Sequence, residues 1–389
     1  MPAKKSRFIM TTFSAAIFLV LTQLAVAQYS VFYTFTGTPD GSQPNGELIQ
    51  DPAGNFYGTT RGGGANQFGS IFKIDPSGSE TVLYSFQNTT DGISPEAGLF
   101  RDPDGNLYGM TNIGGVSECA CGTIFKLDTS NTLTVLHTFN LGKTGSFPRP
   151  NRLISVNGVL YGTTASGGAS GLGVIFKITK GGMYSVVYSF TGGADGFAPT
   201  YLNRDSAGNI YGTSQSQDNG RGVVFKLDTS EHFSVLYTFT GGTDGAIPLG
   251  RVIIDANGNI HGATQNGGDV TCDTTKIPPG CGVIYRIDPS GTESVVHTFH
   301  NGSGGGQPEQ GVLDVGGTLF GANNVGGNSS CACGVVFSIG NTGEYSVLHT
   351  FEGGTDGSGV VGELTLGQDG NIYGSATSDT NGYIFKYTR

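Results

Sequence analysis

One strand-like segment recurs seven times along the 389-residue chain, as SVFYTF, TVLYSF, TVLHTF, SVVYSF, SVLYTF, SVVHTF and SVLHTF. Its valines are Val31, Val82, Val135, Val186, Val235, Val295 and Val347, so one unit follows another at intervals of 49 to 60 residues. A chain of this length ordinarily reads as two or three domains. A repeat of this period overrides that prior, because one such unit cannot bury its apolar faces alone and must stack on its neighbours.

Each unit has the same internal order. The opening strand leads into a Gly-rich link such as GGTDGAIP, then a second apolar run (LIQD, LFRD, LNRD). A turn, an NLYGTT-like run and a GVIFKLD-like run follow. Apolar and polar residues alternate with period two in all four segments, and Gly, Asp and Asn separate them, so each unit reads as four short strands. No segment reads as a helix. The turns DPAGN, DPDGN, DSAGN and DANGN, and DPSG or DTS before the next opening, are tight hairpin connections. The other two links are long and variable. Antiparallel strands alternate ends, so the tight turns gather on one face of the assembly and the long links on the other.

Four-stranded units repeated radially predict an all-β fold, a seven-bladed β-propeller of antiparallel blades. The ends of the chain support closure of the ring. A lone opening strand stands at 30–35, and the last unit stops on its fourth strand, YIFKY, at 383–387. Pairing the two completes the last blade and removes two exposed edges.

The succession (S/T)VLY(T/S)F, G-G-T-D-G, L-x-x-D-x-x-G-N-(L/I)-Y-G-T-T and G-(V/T)-(I/V)-F-K-(L/I)-D resembles the GloVer (Gloeo/Verruco) tandem repeat of bacterial exported proteins. The resemblance covers nearly all of the chain after residue 27. It implies a propeller and export, and no catalytic activity. Members commonly carry a C-terminal cell-surface anchor; this chain ends at Arg389 on a strand.

Residues 1–27 read as a secretory signal peptide. Lys4, Lys5 and Arg7 precede an apolar stretch, and Ala25-Val26-Ala27 supplies a small-x-small cleavage site before Gln28. The mature unit, 28–389, is a single propeller domain with no later membrane span. Three of the 20 basic residues and none of the 30 acidic ones fall in the leader, so the mature chain carries 17 basic against 30 acidic, a net charge of −13. That balance argues against a nucleic-acid binder, which needs a basic face, and suits a self-repelling monomer. With 13% charged residues the chain is no coiled coil, and 37% hydrophobic content sets it apart from disordered sequences.

Seven residues hold one position of the fourth strand: Phe72, Phe125, Phe176, Phe225, Tyr285, Phe337 and Phe385. They read as inter-blade packing. The aromatic before the Gly of the third strand (Tyr57, Tyr108, Tyr161, Tyr211, His261, Phe320, Tyr373) is expected to pack with its hydroxyl on a backbone partner. His137, His297 and His349 replace a packing aromatic of the opening strand. No Gly-x-Ser-x-Gly elbow, His-Glu-x-x-His or phosphate loop occurs, so no catalytic residue and no metal ligand is assigned.

Candidate ligand-binding residues come from the links and the inner strand. Asp40, Asp91, Asp195, Asp244 and Asp356 recur in an Asp-Gly of the Gly-rich link, and Thr144 and Gly304 stand there in the third and sixth units. Turn chemistry explains them. The functional reading is an incomplete ring of carboxylates on the long-link face, open to polar ligands or to calcium, with no other cofactor implied. Arg101 and Arg204 share a position on the presumed innermost strand and either face the channel or pair with neighbouring carboxylates. The cysteines fall in pairs within one link: Cys119 with Cys121, Cys272 with Cys281, and Cys331 with Cys333. In an exported chain such pairs predict three local disulfides, with cross-pairing between the fifth and sixth units, or zinc held by four of the thiolates, as the alternatives.

Two functions compete. The first is a secreted or cell-surface, non-enzymatic module binding a glycan or a surface protein on the long-link face. The second is a glycosidase or lyase acting on extracellular polysaccharide, by fold-level analogy alone. An enzyme should interrupt its repeat with paired carboxylates. The divergent places are the link around Cys272 and Cys281 and the third unit with Lys143, Arg149 and Arg152. Neither contains a carboxylate pair with a plausible partner, which favours the binding module.

Overall fold

The computed structural model describes residues 28–389 except 88–89, 116–117, 150, 217–220 and 379; the leader expected over 1–27 lies outside the described residues. The sheets are seven antiparallel blades in a ring. From axis to rim, blade 1 consists of Ser42–Gln50, Phe56–Gly62, Ser70–Ile74 and Glu80–Ser85. Its outermost strand is the opening strand of the next sequence unit, so blade and sequence unit are out of phase by one strand. That offset leaves Gln28–Thr34 free to pair with Tyr383–Thr388, from Gln28↔Thr388 to Thr34↔Tyr383 with a bulge between Val31 and Tyr33. The ring is closed as the chain ends predicted.

The tight turns form because an aspartate satisfies them. Asp51 Oδ1 accepts from the N–H of Ala53 and of Asn55 at 2.9 and 3.0 Å, while Oδ2 accepts from Asn55 Nδ2 and from the Tyr57 hydroxyl, both at 2.9 Å. Gly54 takes the positive φ (87°) between them. The D-x-x-G-N-x-Y pattern is therefore one hydrogen-bonded device. Tyr108 and Tyr211 likewise donate to Asp102 and Asp205 at 3.2 and 3.1 Å; in blade 7, where Gly367 holds the first position of the pattern, Tyr373 donates at 2.9 Å to Asp369 two residues further on. This corrects the expected backbone partner: the hydroxyl meets the turn carboxylate, a charge-assisted bond stronger than one to a carbonyl. Blade 3 has no aspartate in its shorter turn, and there Tyr161 donates to Glu231 of the neighbouring blade at 2.9 Å.

Seven apolar clusters fill the fold, each built from two adjacent blades. The fourth-strand aromatic lies at the heart of each, and its register partner on the third strand is always Gly: Gly58↔Phe72, Gly162↔Phe176, Gly262↔Tyr285 and their equivalents. A Cβ on any of these glycines would overlap the far end of the ring. The repeated YG dipeptide thus puts one aromatic outward and clears the floor for another. At the rim, the histidines that replace an aromatic stack as aromatics do. His137 lies on Tyr184 at 3.9 Å, His297 on Tyr345 at 4.2 Å and His349 on Tyr29 at 3.5 Å, all nearly parallel.

Candidate functional site

The residue just before the inner-strand Leu or Val points to the axis, and there the repeat breaks down. Around the ring it reads Glu47, Gly98, Arg152, Tyr201, Arg251, Gly311, Glu363. Glycine beside this position lets the inner strands crowd together. A Cβ on Gly46 would stand 2.6 Å from the backbone N of Gly98, and one on Gly250 or Gly311 would fall inside the neighbouring backbone.

Four charges meet in this space. Arg251 donates from Nη1 to both oxygens of Glu47 at 2.8 and 3.0 Å, and Arg152 Nε reaches Glu47 Oε2 at 3.1 Å. Glu363 Oε1 accepts from the N–H of Arg251 and of Gly311, both at 3.0 Å. Arg251, Glu47 and Glu363 are 6%, 8% and 2% exposed, so the network is a plug of two acids and two bases across the middle of the propeller. Burial holds the Glu363 carboxyl above the ordinary glutamate range despite Arg251. Burial, and the charges of Glu363 and Glu47, raise the Tyr201 hydroxyl.

Above the plug, on the long-link face, is a cavity of about 310 Å³ lined by Arg149, Tyr201, Glu309, Gln310 and Asn324 among others. That is the lower end of the size range of small-ligand pockets. Glu309 is held by two amides, Gln265 Nε2 at 2.7 Å and Asn324 Nδ2 at 2.8 Å. Three buried polar atoms here lack a protein partner: Arg149 Nε, Gln310 Oε1 and Asn324 Oδ1. Burial lowers the Arg149 pKa, and no carboxylate offsets the effect. The pocket thus sets an unsatisfied donor beside unsatisfied acceptors, which native interiors rarely leave without a ligand or water.

The predicted aspartates are elsewhere. Asp40 Oδ1 accepts from Thr36 Oγ1 at 2.8 Å and Oδ2 from the Tyr33 hydroxyl at 2.7 Å, with the Thr36 N–H shared between them. Asp195 and Asp244 repeat this with Thr191 and Tyr188, and with Thr240 and Tyr237. Asp356 accepts from the Glu352 N–H and faces His349 Nε2 at 3.2 Å. The carboxylates sit at mid-radius, between the outer strand of one blade and the middle strands of the next, and their oxygens serve their own links. Among the described residues no group of three or more His, Cys, Asp and Glu is placed to hold a metal ion.

Asp91 carries the exception that tests this device. Its Oδ2 accepts from Tyr84 and from the Gln87 N–H at 2.8 and 2.9 Å, but Oδ1 is buried without a partner, because Gln87 stands where Thr36, Thr191 and Thr240 offer a hydroxyl. Gln87→Thr is therefore expected to stabilise the chain by about 1 kcal/mol, the worth of one hydrogen bond to a buried acceptor. Equilibrium denaturation reads it, and an unchanged midpoint would show that the free oxygen carries no penalty.

Arg101 and Arg204 lie on inner strands, as expected, but at their opposite end. Both line a groove on the tight-turn face, away from the aspartates they were grouped with. The expected pairing with carboxylates is absent: neither occurs in an ion pair among the described residues, and Arg101 lies instead 6.0 Å from the centre of the Tyr57 ring. The cysteines are bonded as Cys119–Cys121, Cys272–Cys281 and Cys331–Cys333, each within the long link between third and fourth strands.

The sequence profile of the Gloeobacter/Verrucomicrobia repeat matches residues 14–217 and again 201–389. No curated protein matches the chain. Among solved structures, the extracellular domain of the one component system BT4673 from B. thetaiotaomicron aligns with a TM-score of 0.59 at 16% identity, covering 94% of this chain and 42% of that one. The extracellular domain of the hybrid two component system BT3049 from the same organism aligns with a TM-score of 0.59 at 13% identity, covering 94% and 41%. The chain thus spans well under half the length of these structures, and at such identities the likeness is one of fold.

Proposed function

The chain belongs to the Gloeobacter/Verrucomicrobia repeat family, and on that footing we propose that it is an exported, non-enzymatic binding module that takes a small hydroxyl-rich ligand at the axis of its long-link face. The observation that carries this reading is the pocket over the plug, with Arg149 Nε, Gln310 Oε1 and Asn324 Oδ1 buried and unsatisfied. A sugar hydroxyl both donates and accepts, so one ring edge serves a guanidinium and two amide oxygens at once. Glu309, already fixed by two amides, adds an acceptor in a set orientation. Export is part of the proposal. It draws support from the leader-like 1–27, from three disulfides, and from the extracellular origin of the similar B. thetaiotaomicron domains. No helix among the described residues is long and apolar enough to cross a membrane.

A glycan array, run with and without calcium, tests the reading. The chain is expected to retain a saccharide, and Arg149→Gln to weaken that binding by about tenfold, the loss of roughly one good hydrogen bond to a charged group. No retained saccharide under either condition, or binding indifferent to Arg149, would reject the pocket as the site. Calcium-dependent binding that survives Arg149→Gln would point back to the link aspartates.

A further inference from the structure

We propose that the opposite, tight-turn face carries a second site, for an acidic polysaccharide whose carboxylates lie along the groove over blades 2 to 4. The groove has a volume of about 630 Å³ and runs between three hairpin ends, with Phe100 and Arg101 on the first, Val156 on the second and Arg204 on the third. At Phe100 and Arg101 it joins the axial mouth of this face, a cavity of about 490 Å³ whose wall includes Arg152. Arg101, Arg152, Arg204 and Lys180 therefore line one continuous surface on a chain whose 28–389 portion is strongly acidic.

The carboxylates present do not balance these cations. Lys180 is bound to the buried Asp102 at 3.1 Å. Arg152 has Glu47 at 3.1 Å, but that carboxylate also answers Arg251 at 2.8 Å. Arg101 and Arg204 have no carboxylate within ion-pair distance among the described residues. Asp314 occupies the matching inner-strand position in blade 6, outside the groove. Two guanidinium groups thus stand uncompensated on alternate blades, with Ser155 at the matching position of the blade between them. The Tyr57 ring beside Arg101 restricts one of them, so less freedom is lost on binding.

The ligand chemistry follows from the donors. Guanidinium presents a planar fork that fits a carboxylate through two parallel bonds, and it is less strongly hydrated than an ammonium. A single small anion would use one arginine. A polymer with a carboxylate on each residue engages both, and Phe100 and Val156 offer apolar contact to the sugar faces between the charges.

The test is retention of the purified full chain by polygalacturonate, with neutral dextran and free galacturonate as comparisons. Binding to polygalacturonate alone is expected, weakening as salt is raised. Arg101→Gln with Arg204→Gln should cut it by about tenfold or more, the worth of charge-assisted bonds to a carboxylate. Ser155→Glu, which places a negative charge between the two arginines, should do the same and covers the case in which the double variant fails to fold. Arg149→Gln, in the pocket of the other face, should leave it unchanged, so the two sites fail separately. No binding to polygalacturonate, equal affinity for the monomer, or binding indifferent to both groove variants overturns the proposal. Sulfated dextran bound as tightly as polygalacturonate would overturn the carboxylate preference.

Discussion

Replacing Arg251 with methionine should lower the stability of the folded chain by about 3–5 kcal/mol, the usual result of removing one partner from a buried ion pair. Arg251 is 6% exposed and its guanidinium answers Glu47 directly, while its backbone N–H holds Glu363. Without the guanidinium, two carboxylates remain at the axis with only Arg152 to balance them. Equilibrium denaturation at neutral pH reads the loss directly. A change under about 1 kcal/mol would mean that the plug relaxes or hydrates when the guanidinium is removed.

Glu363 gives the same plug a pH signature. Its carboxyl is held above the ordinary range, burial being the largest cause. The folded chain thus binds this proton more tightly than the unfolded chain does, and ionisation of this group subtracts stability as pH rises from the unfolded glutamate range. Glu363→Gln keeps an oxygen for the N–H groups of Arg251 and Gly311. It should match the parent chain below about pH 4, where glutamate is protonated in both states, and exceed it in stability at neutral pH. The opposite order at neutral pH would show that attraction to Arg251 outweighs burial.

The contrast between what the sequence discloses and what it conceals lies in the distance over which each feature is specified. Strand alternation, the Asp-Gly turns and the paired cysteines are local patterns, so blades, faces and disulfides are readable within one or two units, and ring closure follows from comparing the first unit with the last. The carboxylate partner of the tyrosine hydroxyls is less visible: Asp51 and Tyr57 are six residues apart, and only the hairpin between them brings hydroxyl to carboxylate. The plug is a different matter. Arg149 and Arg152 stand out as departures in the third unit, but their partners come from elsewhere in the ring. Glu47 and Arg251 are separated by 204 residues, and nothing local to either marks the other. The usable signal was the column itself: one inner-strand position that reads Glu, Gly, Arg, Tyr, Arg, Gly, Glu while its flanks repeat. A position that varies inside a regular repeat, with both charges represented, is where the units stop being equivalent because they meet each other. The link aspartates are regular for the converse reason. They repeat because each holds its own turn, and repetition alone does not make a ring.

Tyr285→Phe should raise stability by about 1–3 kcal/mol, the penalty of a buried polar group left without a partner. Tyr285 is the one departure from Phe among the seven fourth-strand aromatics, and it is fully buried. Its ring packs as theirs do, edge-on to Phe239 at 5.0 Å, and its hydroxyl extends over Gly262, in the space a Cβ would take. There the oxygen has no hydrogen-bond partner, and burial drives its pKa well above the ordinary tyrosine value. Removing it restores the arrangement already present in six other blades. The gap left is one oxygen atom, smaller than the methyl-sized void that costs about 1 kcal/mol, so relief should exceed loss. The denaturation midpoint should therefore shift upward with no change in its slope. A lower midpoint would instead require a water bound between the hydroxyl and the Gly262 backbone, and it would make blade 5 the one place where the polar atom is part of the core.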